Sequence, residues 1–503
     1  MNSRRILFSP EDLKTFREAS GDRNPLHLDE KYASKTAYGQ RVVYGALGAI
    51  ACLGDLELPP GEKISRITAD FHRPMFLHVD YRAEKSSLAG IQTVRLFDGT
   101  VLVVTLAIAH QQTMDGQRLP LLSRTGLFER SEPRELSWNN VQAGLEFTGR
   151  YAADSGNLQE LCRRWNVTVN PFVVEALLWC SYFVGMEFPG RNALFFRLSL
   201  DLSQDSISHQ GAIHYLGAIS SLHKAVEQVK IRVVLHSDKS QLASGALIAF
   251  IRPDLESFDL QHLLSKNSPI DSLAGKVALI IGASRGLGAA LAALMAWEGA
   301  HVVAVSRSPL ELNAALPDHV KQRITWEPGD SADVDSVIAL RAKIVERFGR
   351  LDFLVCNAFP PIPALRLEVN ALGRIQAYIK QSTDLVLVPL CSFLPLLNEH
   401  RGCAVIVSSS ALEKPVREWP HYLAAKSAIE SFGVVAALQY PNISALIVRP
   451  ERLLTGMTNT PMGRQNALPP IVFAQRITQK LQVPPPPGTA EIFHGNEGEL
   501  AHR

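Results

Sequence analysis

The stretch that most constrains the fold is Gly275-Lys-Val-Ala-Leu-Ile-Ile-Gly-Ala-Ser-Arg-Gly-Leu-Gly288. Val277 to Ile281 is an unbroken apolar run of strand length, which predicts a strand buried on both faces. Gly282, Gly286 and Gly288 then lead into an alanine-rich helix over Ala289 to Trp297. Glycines here let the backbone approach a pyrophosphate, and the helix N-terminus offers it unpaired N–H groups. The spacing is G-x-x-x-G-x-G, not G-x-G-x-x-G. Close packing of strand on helix would also call for glycine, so the residues downstream have to decide.

At 503 residues the chain exceeds one core, and about three domains are expected. An apolar share of 46% with 20% charged residues is that of globular protein. The formal net charge of +2 gives no electrostatic case for a nucleic acid or an anionic membrane. Cys52, Cys162, Cys180, Cys356, Cys391 and Cys403 show no paired spacing and read as reduced core thiols. No long apolar segment follows the N-terminus, so the expectation is a soluble, cytoplasmic protein with no metal site.

In the N-terminal third, Ser9-Pro-Glu-Asp-Leu predicts a helix start: a serine cap, proline in the first turn, then acids. That helix should end near Ser20-Gly21, before the polar loop Ser20-Gly-Asp-Arg-Asn-Pro-Leu-His-Leu-Asp29; a second helix should begin near Gly45. The loop resembles the S-G-D-x-N-P-x-H-x-D motif of the MaoC-like, R-specific enoyl-thioester hydratases and dehydratases of the hot-dog fold, and matches it throughout. The resemblance implies Asp22 and His27 as the acid/base pair, Asn24 as the residue ordering the loop, and the Gly45 N–H as the donor to the thioester oxygen. The chemistry requires such a set: water addition to a conjugated double bond needs a base, an acid and donors for a developing oxyanion. Tyr44 stands where that family usually has histidine. His72 and His78 are read as strand-end residues without a role.

From about Gly144 the pattern restarts, with a helix buried nearly all round over Asn170 to Gly185, then strands over Ala193–Leu202 and Val229–Leu235. This predicts a second hot-dog unit that lacks the motif, since no histidine follows Asp154 and Asn157 at the right spacing. It would supply the partner sheet and part of an acyl tunnel. His209 and His214 are read as surface or packing residues. The expected domains are 1–125, a catalytic hot-dog half; 126–255, a non-catalytic half; 256–274, a linker; and 275–503.

Beyond Gly275 strand and helix segments alternate, which predicts a Rossmann-type doubly wound parallel sheet. These residues resemble the short-chain dehydrogenase/reductase family: the glycine turn with Ser284, Arg285 and Leu287; Asp330; Asn357-Ala358; Ser409; Tyr422-x-x-x-Lys426; and Pro450 with Thr455. The resemblance implies cofactor contacts from Gly282, Ser284, Arg285, Gly286, Leu287, Gly288, Ser306, Arg307, Asp330, Asn357, Ala358, Tyr422, Lys426, Pro450 and Thr455. It implies catalysis by Ser409, Tyr422 and Lys426. Tyr422 and Lys426, four apart on a helix, share a face, and the lysine's charge is expected to lower the tyrosine's pKa. Ser306-Arg307 stands where NAD-binding units present an acid, and with Arg285 this favours NADP. Cys356, Phe359 and Glu451 replace residues usual in that family. Its catalytic asparagine has no assigned counterpart, Asn370 lying too far ahead of Ser409 and the spacing falling near Gln381.

The two halves share one substrate logic. The expectation is a bifunctional ketoreductase/dehydratase that uses NADPH to reduce a 3-oxoacyl thioester of CoA or acyl-carrier protein to the (R)-3-hydroxyacyl form. That product would then interconvert with the trans-2-enoyl form. The alternatives are the same steps run oxidatively, or a hydratase with a silent NADP-binding half. By analogy a homo-oligomer is expected.

Overall fold

The structure is a computed structural model; it describes residues 4–112, 124–209, 211–252, 271–310 and 316–495. The chain forms two compact units, Met1–Asp254 and Leu255–Arg503. The expected linker 256–274 lies outside the described residues except for 271–274.

The first unit holds strands β1 (Arg4–Leu7), β2 (Glu62–Phe71), β3 (Asp80–Leu88), β4 (Ile91–Asp98), β5 (Val101–Gln112), β6 (Glu146–Tyr151), β7 (Ala193–Leu202), β8 (Ile213–His223), β9 (Gln228–His236) and β10 (Gln241–Ile251). Helices α1 (Pro10–Ser20) and α2 (Gly45–Leu53) lie between β1 and β2, and α3 (Ser155–Trp165) and α4 (Pro171–Tyr182) between β6 and β7. The strands make one ten-stranded sheet in the order β1-β3-β4-β5-β2-β7-β10-β9-β8-β6. Read outward from the central β2–β7 pair, both sides have the same order, so the unit is a hot-dog followed by its own repeat. Arg66 faces Asp201 and Asp70 faces Arg197 across that pair, with Thr68 opposite Ser199 at the centre. Ion pairs Arg66–Asp201 and Arg197–Asp70 therefore sit symmetrically about the join.

The sheet wraps α2 and α4, which pack on each other and are buried at nearly every position. That is why neither helix shows an amphipathic pattern. Helix α1 begins with a capping box between Ser9 and Asp12 and stops at Gly21 in the left-handed conformation. The two halves differ between their helices. Residues 21–44 form a long connection with two short helical turns, whereas 166–170 join α3 to α4 directly. Asp154 caps α3 through the Asn157 N–H, a structural duty for that polar pair. The buried run expected to 185 is α-helical to Tyr182 and then widens into a π-turn, Phe183–Glu187.

The second unit runs β11 (Val277–Ile281), α5 (Gly286–Trp297), β12 (His301–Ser306), β13 (Ile324–Pro328), α6 (Val334–Phe348), β14 (Phe353–Cys356), α7 (Leu372–Glu399), β15 (Cys403–Val407), α8 (Pro420–Gln439), β16 (Ser444–Val448), α9 (Pro470–Lys480) and β17 (Ala490–Phe493). All its strands are parallel, in the order β13-β12-β11-β14-β15-β16-β17. Helices α5 and α9 pack on one face and α6, α7 and α8 on the other. This is a Rossmann-type fold, and its strand order reverses between β11 and β14, where such sheets open a crevice at their carboxyl ends. No helix among the described residues is long and apolar enough to cross a membrane. Cys391 departs from the expected core thiols: it is exposed on α7.

Candidate active sites

In the first unit, the connection 21–44 carries the motif. Asp22 is buried, and its carboxylate accepts from the Asn24 N–H at 3.0 Å. Asn24 caps the turn Pro25–Leu28 through Leu26 N–H, and its amide donates to the Gly190 carbonyl at 3.0 Å. His27 places Nδ1 2.7 Å from the Val42 carbonyl. A carbonyl only accepts, so Nδ1 carries the proton and Nε2 keeps its lone pair. Tyr44 joins the pair: its ring stacks on His27 at 3.9 Å and on Phe16 at 4.4 Å, and its hydroxyl donates to the Asp22 carbonyl at 2.9 Å. Gly45 opens α2 directly after it, with no side-chain cap on that helix end.

The second half, which lacks the motif, reaches into this site. Ser181 on α4 donates to Asp22 Oδ2 at 2.7 Å. Gly185 in the π-turn lies so close to the Asp22 carboxylate that a Cβ there would collide with it. Met186 Sδ accepts from Arg23 N–H at 3.1 Å. These partners lie far along the chain from Asp22, and no local pattern announces them. Burial raises the Asp22 carboxyl from 3.8 to about 7, against the lowering bonds from Ser181 and Asn24. Burial lowers the His27 imidazole to about 4. Near neutrality the arrangement thus offers a proton on the carboxyl and a lone pair on the imidazole. His72 bonds Thr105, His214 pairs with Asp238 and His209 stands edge-on to Phe172.

In the second unit, β11 leads into the glycine turn. Gly282 (φ +83°) donates to the Val305 carbonyl, and a Cβ on it would lie 2.6 Å from Ala358. A Cβ on Gly288 would run into the Gly282 carbonyl and within 2.7 Å of Asn357 Nδ2. Asn357 in turn donates from Nδ2 to the Gly282 carbonyl at 2.9 Å, and Asn357 and Ala358 both donate their N–H groups to Ile281. Asn357-Ala358 therefore braces the turn. Ser284 and Arg285 are half-buried on it, Leu287 is buried inside α5, and no side chain caps the α5 N-terminus. Such a helix end, with glycine at the close approaches, fits a dinucleotide pyrophosphate. A Cβ on Gly286 would come 3.3 Å from Thr455 Cγ2, so the segment after Pro450 borders the same cradle. At the end of β12, Ser306 gives its hydroxyl to the Ser308 carbonyl and accepts from Trp326 Nε1, while Arg307 is exposed. Asp330 is exposed and accepts from Ala332 N–H.

Tyr422 and Lys426 project from α8, and the Ser409 side chain stands near enough to the Tyr422 hydroxyl to favour its ionised form. Ser410 N–H donates to the Pro450 carbonyl, which ties the Ser409 segment to the one bordering the cradle. Lys426 Nζ donates to the Val407 carbonyl at 2.8 Å and stands 3.5 Å above the Phe359 ring centroid. Phe359 and Trp419 meet the Tyr422 ring edge-on at 5.5 and 5.7 Å.

The expectation that Lys426 lowers the tyrosine's pKa is corrected here. Burial raises the Tyr422 hydroxyl, with only the Ser409 side chain opposing it. Burial also lowers the Lys426 ammonium to about 7, against the charge of Glu430. The physical reason is desolvation: a half-charged lysine sunk under an aromatic ring pulls little on its neighbour. Neither candidate for the asparagine position reaches the cluster as a buried group, since Gln381 and Asn370 are both exposed. Tyr378 and Ser382, one turn apart on α7, are buried instead. Tyr378 lies edge-on to His421 at 4.4 Å and donates to the Pro360 carbonyl. His421 is buried, burial lowers it to about 4, and neither ring nitrogen has a hydrogen-bond partner among the described residues.

Comparison with known proteins gives two family matches. Residues 276–468 match the model described as short chain dehydrogenase, and residues 2–90 match the MaoC like domain. Cis-4-hydroxycyclohexanecarboxylate dehydrogenase of Sinomonas cyclohexanicum is 33% identical over 200 residues, 38% of this chain and 77% of that protein. Human 15-hydroxyprostaglandin dehydrogenase [NAD(+)] is 31% identical over 191 residues, 37% of this chain and 69% of that one. A solved structure of 3-ketoacyl-(acyl-carrier-protein) reductase from Brucella melitensis, complexed with NADH, is 22% identical. Its TM-score is 0.40, covering 44% of this chain and 98% of that one.

Proposed function

Since the chain belongs to the short-chain dehydrogenase/reductase family and carries a MaoC-like domain ahead of that unit, we propose that it reduces 3-oxoacyl thioesters and dehydrates the alcohol formed. The chain is an enzyme with a dehydrogenase and a dehydratase domain, and its cofactor is a nicotinamide dinucleotide. The observation that carries the finer reading is the presence in one chain of two sites acting on the same carbon. The Ser409–Tyr422–Lys426 cluster suits a carbonyl at C3, and the Asp22–His27 loop suits loss of water across C2 and C3.

The glycine turn, the α5 N-terminus and Thr455 would hold the dinucleotide, and exposed Arg307 with Arg285 favours NADP through its 2′-phosphate. Bound NADPH supplies the hydride for C3. Ser409 donates to the carbonyl oxygen, and Tyr422 gives that oxygen its proton, leaving a 3-hydroxyacyl thioester. In the first unit, His27 Nε2 takes the C2 proton while the Gly45 N–H steadies the enolate oxygen. The Asp22 carboxyl protonates the departing 3-hydroxyl, and the products are water and the trans-2-enoyl thioester. MaoC resemblance implies the R isomer as the intermediate.

A second reading keeps the dehydratase and makes the reductase silent. It is favoured by Phe359, which covers the Lys426 ammonium in place of the family's usual residue, and by the missing asparagine. Short and long 3-oxoacyl thioesters on CoA and on carrier protein, followed by NADPH consumption and mass spectrometry, separate the two. NADPH loss followed by enoyl product, with the reduction abolished in Tyr422→Phe, is expected. NADPH binding without turnover, alongside hydration of short enoyl thioesters, would establish the second reading.

A further inference from the structure

Glu187, the last residue of the π-turn, is a buried carboxylate that no step above uses. Arg130 and Arg134, on the segment joining the two halves, both donate to its Oε2, from Nε at 2.7 and 3.1 Å. Tyr182 and Tyr215 donate their hydroxyls to Oε1 at 3.4 and 3.3 Å. The same segment is laced to the turn through its backbone. Arg134 N–H donates to the Met186 carbonyl at 2.9 Å, the Arg134 carbonyl accepts from Arg191 N–H at 2.8 Å, and Arg130 N–H donates to the Tyr182 hydroxyl at 3.1 Å. Residues between and just beyond these anchors meet the acid/base loop. Gly185 abuts the Asp22 carboxylate, Met186 Sδ accepts from Arg23 N–H, and the Gly190 carbonyl takes the Asn24 amide.

We infer that Glu187, gripped by Arg130 and Arg134, is a positioning residue for Asp22: it pins the π-turn so that Gly185 walls the Asp22 carboxyl off from water. The inference rests on the dehydratase reading for its consequence in turnover, though not for its geometry. The turn is closed by Phe188 N–H donating to the Phe183 carbonyl at 2.8 Å, one residue wider than an α-helical bond, and such wide turns recur at functional sites. Without an anchor the same residues can close into an ordinary α-turn, which rotates Gly185 about the helix axis and off the carboxylate. Glu187 supplies that anchor, since its partners come from the connecting segment, from α4 and from β8. Glu129, on the connecting segment, lies in the same cluster near Tyr182 and Tyr215. The groups facing Asp22 are Ser181 on α4, Tyr44 on α2 and Tyr151 on β6. Burial keeps both phenols neutral near pH 7, so access of water, not a neighbouring charge, governs the Asp22 carboxyl.

Glu187→Gln keeps the shape and can still accept from both tyrosines, but it loses the charge that holds Arg130 and Arg134. The turn then drifts, water reaches Asp22, and its midpoint should fall by about one pH unit. Arg134→Gln, at a side chain partly open to solvent, should move the midpoint the same way by less. Arg134→Lys, which keeps the charge, should leave it near the wild-type value. The direct measurement is a carboxyl NMR titration of the full chain labelled with 13Cγ-aspartate, with Asp22→Asn assigning the signal and thermal unfolding recorded alongside. The alkaline limb of the dehydratase pH profile should move with each midpoint. A role in folding alone lowers the melting temperature and leaves the midpoint where it is. If Glu187→Gln does not fold, Arg134→Gln carries the test. Unmoved or raised midpoints in the folded Gln variants, or Arg134→Lys moving as far as Arg134→Gln, would overturn the clamp. Because the titration needs no substrate, lowered midpoints without turnover even in the wild type refute the dehydratase reading and not the clamp; turnover with unmoved midpoints refutes the clamp alone.

Discussion

The buried carboxyl of Asp22 makes a stability prediction that can be worked through. Asp22→Asn is nearly isosteric; its amide oxygen can still accept from Asn24 N–H, and its NH2 can donate to the Ser181 hydroxyl. What it removes is an ionisable group whose pKa burial raises from 3.8 to about 7. A raised folded-state value means the native protein holds a proton that the unfolded chain releases. Native stability is therefore fully present below pH 3.8 and is lost as pH climbs toward 7, after which the penalty is constant. At 1.36 kcal/mol per unit, the wild-type penalty grows by about 2.6 kcal/mol between pH 5 and pH 8. The Asn variant escapes it, so it should gain on the wild type by that amount over the same interval, while losing dehydratase activity. Matched urea or thermal unfolding of the full chain at pH 5, 6, 7 and 8 measures this, following the transition that belongs to the first unit. A variant-minus-wild-type difference that stays flat across those pH values would refute the reasoning, because no other ionisable group changes.

Further outcomes follow from the same geometry. The dehydratase should be active where His27 is neutral and Asp22 protonated, between about pH 4 and about pH 7. Ser181→Ala removes a bond that favours the carboxylate, so the alkaline limb of that profile should move up by about one pH unit as the maximal rate falls. Gly288→Ala drives a methyl into the Gly282 carbonyl and should weaken NADPH binding about ten-fold or more by calorimetry, with hydration of enoyl thioesters unchanged. Arg307→Asp should cut the preference for NADPH over NADH about ten-fold or more, measured as the ratio of their dissociation constants.

What could be read from the sequence was local. The Ser9 cap, the Gly21 stop, the apolar run of β11 and the glycine turn each depend on residues within one turn or strand, and each forms where the pattern puts it. Tyr422 and Lys426 share a helix face for the same reason. Long-range burial was not legible. Nothing near Lys426 in the chain announces that Phe359 lies over its ammonium, and without that contact the charge–charge argument for a lowered tyrosine looks sound. Phe359 was visible as a departure from the family's usual residue, but only the fold says what the ring covers. The same holds for the asparagine position: counting back from Ser409 reaches Gln381, yet the helix turns that residue outward and buries Ser382 beside it.

The repeat in the first unit shows why motif reading finds one half and misses the other's contribution. Both halves keep the strand order and the buried central helix, since these make the shared sheet and core. Only the first keeps a long connection, 21–44, and with it the Asp22–His27 loop; the second closes the gap with 166–170. Freed from carrying a loop of its own, the second half presents α4 and the π-turn to its partner: Ser181 and Gly185 against the Asp22 carboxylate, Gly190 to the Asn24 amide. The hydroxyl of Ser181 opposes the burial that raises Asp22, and the missing Cβ of Gly185 admits the carboxylate at all. The half without a motif is therefore part of the acid it lacks, and its substitutions should appear as changes in the pH dependence of the first half.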